Sequence, residues 1–227
     1  MNLSVILPTR NEEFLIKDTL KDIQSFLNKQ NLSSYEILVV VNGTNDNTTQ
    51  IVSEFTKTDK HIKLLKSKEG YGRALKFGLK KAKGNYIAIF NVDFYDLKMI
   101  DLIKIDLYGK DFIIGSKMAH WSEDERPNSR KTISYLFNKF LKFVFGFNGS
   151  DTHGIKLIRS SVVKKILPKC KTMSGIFDTE FVLRAQESGF KFADFPVRVI
   201  EKRPPRFSQR LVQTPIDIYN LYLSLKK

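Results

Sequence analysis

The stretch Tyr86-Ile-Ala-Ile-Phe-Asn-Val-Asp-Phe-Tyr-Asp96 begins apolar and turns polar at Asn91. Tyr86 to Phe90 carries the aromatic and β-branched side chains of a buried strand. Asn91, Val92 and Asp93 then stand where that strand leaves its sheet. In an open α/β sheet, ligands bind just beyond the carboxyl ends of the strands. A carboxylate at such an end is placed to hold a hard cation against a phosphate. The same residue could instead cap the following turn, and Asp93 by itself does not choose.

The preceding residues supply the sheet. Leu3 to Leu7 is an apolar run, and Pro8, which has no N–H to donate, is expected to stop its ladder. Asn11 is expected to cap the next helix, with Glu12 and Glu13 in its first turn. Apolar residues from Phe14 to Leu27 recur near a helical period. Glu36 to Val41 is an uninterrupted apolar strand, as in a parallel sheet covered on both faces. The pair Asn42-Gly43 permits positive φ, and Asn45 or Asp46 caps a second helix. His61 to Leu65 reads as a third strand. Glu69-Gly-Tyr-Gly-Arg73 opens a third helix, where backbone N–H groups could meet an anion. It is not the dinucleotide fingerprint, which needs a third glycine and follows the first strand. Four strands alternating with three helices predict a right-handed, mostly parallel α/β sheet flanked by helices.

The residues that follow are less regular. Phe112 to Gly115 reads as a strand leading into Ser116 and Lys117, and His120 to Ser129 as a polar loop. Arg130 to Phe147 is helical in pattern, rich in aromatics from Tyr135 to Phe147, and punctuated by Lys131, Lys139 and Lys142. It is expected to be a core helix with a solvated basic side; a helix lying in a membrane interface is the alternative. His153 is read as structural. Strand-like Ile155 to Ile158 and a helix over Ser160 to Ile166 come next. Phe177 opens a helix with Asp178 and Glu180 in its first turn, where acids complement the dipole. Phe190 to Ile200 reads as one alternating strand. Lys202-Arg-Pro-Pro-Arg206 is rigid and basic, and Ile216 to Lys227 is apolar at helical spacing.

Composition narrows the partners. Thirty-eight Lys and Arg against 24 Asp and Glu give a net charge of +14 over 227 residues, which suggests an anionic partner. No nucleic-acid motif accompanies that charge, so nucleic acid is not expected. Cys170 is the only cysteine, which excludes a disulfide framework within the chain and fits a reducing compartment. The sequence shows neither a signal peptide nor an apolar run long enough to span a bilayer. A cytoplasmic place is therefore expected, or a peripheral one on the cytoplasmic face of a membrane.

Taken in order, these blocks resemble the GT-A glycosyltransferases of family 2, most closely the dolichyl-phosphate mannose synthase-like branch. Ser4-Val-Ile-Leu-Pro-Thr-Arg-Asn-Glu12 is similar to the opening nucleotide-binding strand, and Glu36 to Thr48 to the second strand with its DDGSxDxT turn. Gly70 to Leu75 and Ala82 to Gly84 resemble the segment before the metal motif, and Asn91-Val-Asp93 stands at the DxD position. Gly115-Ser-Lys117 resembles the GSR block. Asp178 to Arg184, with Phe195-Pro-Val197, resembles the closing DTELLLR…EVPV block. The resemblance covers nearly the whole chain and implies one GT-A domain over residues 1–227. Residues 1–97 would be its nucleotide-binding half, and 98–227 an acceptor half with a basic, apolar tail.

The resemblance implies an inverting, metal-assisted transfer of a sugar from a nucleotide-sugar to a polyprenyl phosphate. A hydroxyl or glycan acceptor, or a weakened nucleotide-sugar-binding protein on the same scaffold, are the alternatives. It places Pro8, Arg10, Glu12, Val40, Asn42, Gly72, Arg73, Asn91, Val92, Asp93 and Lys117 around the nucleotide-sugar. Mg²⁺ or Mn²⁺ would sit on Asp93, Asn91 and Tyr95, with Asp96 a further carboxylate in reach. Arg130, Lys202 and Arg206 would bind phosphate or acceptor. Asp93 would be catalytic, and Asp178 or Glu180 would serve as base if the acceptor is a hydroxyl. The chain departs from the family pattern at Val41 and Asn42, which replace paired aspartates, and at Asn91, which replaces the first aspartate of DxD.

Overall fold

The computed structural model describes residues 2–30, 32, 34–200 and 207–226, with side chains described to 200 and from 215 onward. Its elements are β1 (Leu3–Thr9), α1 (Ile16–Lys29), β2 (Tyr35–Asn42), α2 (Thr48–Thr58), β3 (Ile62–Ser67), α3 (Tyr71–Lys81) and β4 (Tyr86–Ile89). Then follow α4 (Lys98–Asp101), β5 (Phe112–Ser116), β6 (Glu123–Asp124), α5 (Asn128–Phe145), β7 (Ile155–Arg159) and α6 (Ser160–Ile166). The chain closes with α7 (Phe177–Glu187), β8 (Phe192–Pro196), β9 (Arg198–Val199) and α8 (Phe207–Leu225).

Seven strands form the main sheet in the order β3-β2-β1-β4-β7-β5-β8. Among the described strands of this sheet, β7 alone runs against its neighbours. The chain steps outward from β1 to β3, then returns to lay β4 on the other side of β1. The strand order therefore reverses between β1 and β4, where such sheets open a ligand crevice.

Side chains alternate across the sheet, as period-two strands require. Leu3, Val5 and Leu7 of β1 join Ile16, Leu20 and Ile23 of α1 and Val52 of α2 in one cluster. Ile6, Leu38 and Val40 face the other way, onto Ala74, Leu75 and Leu79 of α3 and Phe177 and Phe181 of α7.

Several expectations are corrected. Pro8 does not end β1; the strand pairs through Thr9 with β2. The carbonyls of Asn2 and Ile6 accept from Tyr86 and Phe90, so even positions of β1 face β4. Pro8 shares that parity but lies past Ile6, the last β1 residue paired with β4, so its missing N–H breaks no ladder bond. Asn11 does not cap α1. It adopts φ +54° and its side chain accepts from the backbone N–H of Asn45 instead. The strand expected over 190–200 is split: β8 pairs with β5, while β9 leaves the sheet to pair with β6.

The core reading of the Phe-rich stretch holds for one face: Leu141 and Phe147 are buried, and Phe137, Phe140 and Phe145 pack against the same cluster. Among the described residues of α5, only Asn138 and Leu141 are buried, and Phe143 is 92% exposed. The apolar residues outnumber what the inner face can cover. No helix among the described residues is long and apolar enough to cross a membrane.

The amino end of the sheet is tied by a buried carboxylate. Glu36 of β2 accepts from Ser4 Oγ at 2.7 Å, from the Lys83 N–H at 2.8 Å and from Lys63 Nζ at 2.7 Å. Ser4 Oγ in turn accepts from the Gly84 N–H at 2.8 Å. Burial opposes the charge on Glu36, but hydrogen bonds from Lys63, Ser4 and Lys83 outweigh it and lower the pKa below 4.5. A carboxylate depressed in the folded state stabilises above its unfolded pKa, and that stability is lost as pH falls through the folded value. Glu36→Gln should therefore destabilise the protein by roughly 1–3 kcal/mol near neutral pH. Urea titrations should show the gap between variant and wild type narrowing below pH 4.5.

Candidate active site

β1, β2, β4 and β5 end at the sheet edge where antiparallel β7 begins. That edge gathers Arg10 and Glu12, Asn42, Asn91 to Asp93, Lys117, and Asp151 to His153.

The two loops beside the switch point are zipped together by side chains. Glu12 N–H donates to Thr48 Oγ1 at 2.8 Å, and Glu13 N–H to Asp46 Oδ2 at 3.1 Å. Asp46 Oδ1 also accepts the Thr48 N–H, so it starts α2 while it grips the β1 loop. Glu13 Oε2 accepts from the backbone and side-chain amides of Asn47. The acid retained in this turn thus shapes the loops.

Asn42 is 3% exposed and both ends of its amide are used. Its Nδ2 donates to the Thr9 carbonyl at 3.0 Å, and its Oδ1 accepts the Gly70 N–H at 3.2 Å. An aspartate could not donate to that carbonyl. Gly70, at φ +127°, then turns the chain into α3. Across the mouth, Arg10 pairs with Glu69 at 2.6 Å, and Arg73 donates to the Glu69 carbonyl at 2.9 Å.

Deeper in, one buried ion pair organises the site. Lys156 of β7 and Asp178 of α7 have side chains 1% and 3% exposed, with Nζ 2.6 Å from Oδ1. Lys156 Nζ also donates to the Gly154 carbonyl at 2.8 Å. Tyr71, the first residue of α3, has its phenol near enough to Asp178 to feel its charge. Burial, then Asp178 and the charge of nearby Asp93, push the Tyr71 phenol well above its ordinary pKa, so it keeps its proton. Beside this group Lys117 is salt-bridged to Asp151. Burial opposes the Asp151 charge, but Lys117 prevails and lowers its pKa. The ring of His153 opens to solvent, yet protein surrounds it on its other sides; that desolvation lowers its pKa against Asp178 and Asp151. His153 is therefore neutral at pH 7.

The structure separates the residues expected here. It brings Asp93 and Asp178 together through Tyr71 and sets Lys117 near His153. Arg130 is half-buried in the first turn of α5. Lys202 and Arg206 lie outside the described residues. Val40 is in the core against α3, and Val92 is buried against α1, its carbonyl accepting from Thr19 Oγ1 at 2.8 Å. Gly72 is not an open cradle: an added Cβ would stand 2.4 Å from the Ser174 carbonyl oxygen, so it lets α3 press on the 173–174 backbone. Tyr95 turns away from Asp93 to donate to Asp22 Oδ2 at 2.6 Å, and Asp96 caps the α4 turn through the Lys98 N–H at 3.0 Å. Glu180 is fully buried and holds the turn before α7, accepting from the Lys171 and Thr172 N–H groups, Thr172 Oγ1 and Arg184 Nε.

Tyr71 and Lys156 escaped the sequence reading. Lys156 left a signal: one lysine in the apolar strand Ile155 to Ile158 has to be buried with a partner. Tyr71 left none beyond its place between two glycines.

The profile described as Glycosyl transferase family 2 matches residues 4–167. The chain belongs to glycosyl transferase family 2. It is 31% identical over 221 residues to a dolichyl-phosphate beta-glucosyltransferase of Saccharomyces cerevisiae, covering 86% of this chain. It is 28% identical over 217 residues to a protein of the same name from Dictyostelium discoideum, covering 88% of this chain. The chain spans 66% of the length of each of these curated relatives. Among solved structures, glucosyl-3-phosphoglycerate synthase from Mycobacterium tuberculosis with UDP superposes with a TM-score of 0.68 at 14% identity. That match covers 98% of this chain and 79% of the other. A mannosyltransferase from Pyrobaculum calidifontis in complex with GDP-Man and Mn²⁺ gives 0.63 at 17% identity, covering 92% and 59%. At such identities the likeness is one of fold, and the fold is GT-A.

Solved structures of this fold include Mn²⁺ complexes, so the donor set here has to be weighed against a cation. Among the described residues, no group of three or more His, Cys, Asp and Glu is placed to hold an ion. Mg²⁺ commonly takes one or two protein carboxylates and completes its shell with substrate phosphates and water. Asp93, with the neutral oxygen of Asn91 nearby in sequence, is such a partial set and fits an ion bridged by a diphosphate.

The ion pair makes a stability prediction. Lys156→Met should leave Asp178 buried without its countercharge and cost about 3–5 kcal/mol in urea unfolding. Replacing both residues by apolar ones, Lys156→Met with Asp178→Leu, should recover most of that loss.

Proposed function

We propose that this domain is an inverting glycosyltransferase that moves a hexose from a nucleoside diphosphate-hexose to a polyprenyl phosphate. The names of its curated relatives favour glucose and a dolichyl-type phosphate. The observation that carries the choice of acceptor is the state of the two acids that could act as base. Glu180 is enclosed by the backbone and side-chain donors of 171–172 and by Arg184. Asp178 is 2% exposed and held by Lys156. A hydroxyl acceptor needs a base within reach of its proton. A phosphate acceptor is already anionic and needs none.

In the reaction, an acceptor phosphate oxygen attacks the anomeric carbon on the face opposite the diphosphate. The bond from that carbon to the diphosphate breaks, and its electron pair leaves with the nucleoside diphosphate. No proton has to move. Asp93 and Asn91 would hold a divalent cation, whose chemistry is to neutralise charge on the departing diphosphate. Arg130, Lys202 and Arg206 would hold the acceptor phosphate, while Lys117, ion-paired with Asp151, would line the nucleotide-sugar.

A lipid acceptor also accounts for α5. Ile133, Leu136, Phe140, Phe143 and Val144 recur at helical spacing on one side of the helix, and four of them are exposed. Lys131, Lys139 and Lys142 are interspersed along the same helix. Shallow burial of that stripe, with lysines toward anionic headgroups, would dock the enzyme peripherally on the cytoplasmic face of a membrane.

The test offers labelled UDP-glucose or GDP-glucose with Mn²⁺ and either polyprenyl phosphate or the corresponding alcohol. Product should form with the phosphate alone, and Asp93→Ala should lower turnover by about a hundredfold or more. Equal transfer to the alcohol, or an undiminished Asp93→Ala enzyme, overturns the proposal. Phe143→Glu should reduce flotation with acidic liposomes while transfer to a short, water-soluble acceptor persists.

A further inference from the structure

Asp194 sits in apolar company and takes no part in the proposed reaction. In β8 it stands opposite Ile114 of β5, on the face where Phe112 and Phe192 stack at 5.0 Å. Its Oδ2 accepts both the backbone N–H of Ser150, at 3.0 Å, and the Ser150 hydroxyl. Its Oδ1 is buried and has no hydrogen-bond partner among the described residues. A carboxylate satisfied at one oxygen only costs stability. A smaller hydroxyl or an apolar side chain would avoid that cost, so stability alone does not account for an acid at this position.

The contacts of Ser150 have a direction. Its hydroxyl gives its single proton to Asp194, so it accepts at its 2.6 Å contact with Ser116 Oγ, and Ser116 donates. Ser116 Oγ in turn accepts the Met118 N–H at 3.1 Å. A chain of donors thus runs from the 116–118 turn through two serines and ends on Asp194, which accepts without donating. The two serines immediately precede Lys117 and Asp151, the ion pair at the crevice. Their carbonyls are pinned as well: Ser122 Oγ donates to that of Ser116 at 2.6 Å, and Asn138 Nδ2 of α5 to that of Ser150 at 2.8 Å.

We infer that Asp194 is a positioning residue for Lys117: by ending the Ser116–Ser150 chain it sets Lys117 and Asp151 in the geometry that meets the nucleotide-sugar. The inference rests on the proposed place of Lys117 at the donor and adds the residue that holds it there. Asp194 acts through two serines, from a strand that enters the sheet late in the chain.

Calorimetric affinity for UDP-glucose and GDP-glucose, each with Mn²⁺, tests it. Asp194→Ala should weaken the bound nucleotide-sugar by roughly three- to tenfold, the worth of one hydrogen bond. Asp194→Asn, whose amide oxygen can still accept from Ser150, should recover most of that loss. Ser116→Ala cuts the same chain with Asp194 in place and should reproduce the loss, which keeps the test open if Asp194→Ala does not fold. In the background Lys117→Met with Asp151→Asn, which removes both charges together, Asp194→Ala should cost less than about twofold, because coupled residues are not additive. Wild-type affinity in both Asp194→Ala and Ser116→Ala overturns this inference alone. So does an Asp194→Ala loss of equal size in both backgrounds, because the effect would then bypass Lys117. Wild-type protein that binds neither nucleotide-sugar overturns the proposed function and this inference together.

Discussion

The pairing of Lys156 with Asp178 is the constraint on which the rest of the site depends. Each side chain has been taken almost wholly out of water, and each is the other's countercharge at 2.6 Å. The pair joins β7 to α7, and the phenol of Tyr71 at the start of α3 feels its carboxylate. Those three elements come from distant parts of the chain. β7 is also the one strand of the main sheet described as antiparallel, so its beginning lies at the edge where its neighbours end. A lysine near the start of that strand is thereby delivered under the crevice. In a parallel strand the same position would lie at the far edge, beside Glu36.

The two edges of the sheet carry opposite kinds of polar chemistry. At the amino edge, Glu36 and Ser4 are satisfied inward by neighbouring strands and the 83–84 turn, and nothing is left over for a ligand. At the carboxyl edge, polar groups are paired at two depths: Arg10 with Glu69 at the exposed mouth, and Lys117 with Asp151 below it. Exposed pairs such as Arg10 with Glu69 are worth little and exchange readily when a more highly charged anion arrives. A buried pair does not exchange, and can serve only to place its neighbours.

Replacing aspartates by asparagines has a different meaning at each position. At Asn42 the amide is required, because one partner is a carbonyl and the other an N–H. A carboxylate there would set two acceptors against each other at Thr9. The loss of charge is incidental to the bridge between β1 and α3. At Asn91 the backbone shapes the turn, exchanging hydrogen bonds with Phe94, while the side chain contributes at most a neutral oxygen. With a net charge of +14, the protein has cations to share with a diphosphate, and fewer acids at the site raise its pull on one.

How much of this was legible in the sequence follows from which interactions are local. The strands of the first half could be read because their apolar runs, covered on both faces, have no other reason to exist. The switch point followed from their alternation with helices. Pro8 misled because a lost N–H matters only if a neighbour needs it, and which neighbour stops short is a fact of tertiary register. Val40 and Val92 were named for their places along the chain; their side chains join the core, Val40 through strand alternation and Val92 in the turn after β4. Tyr95 and Glu180 are polar groups whose partners, Asp22 and the 171–172 turn, no spacing rule would supply. Helix α5 meets the core on one face only: Leu141 is buried, and Phe137, Phe140 and Phe145 pack against the cluster that α3, α6 and α7 largely fill. Its other apolar residues stay outside, where the proposed membrane contact would cover them.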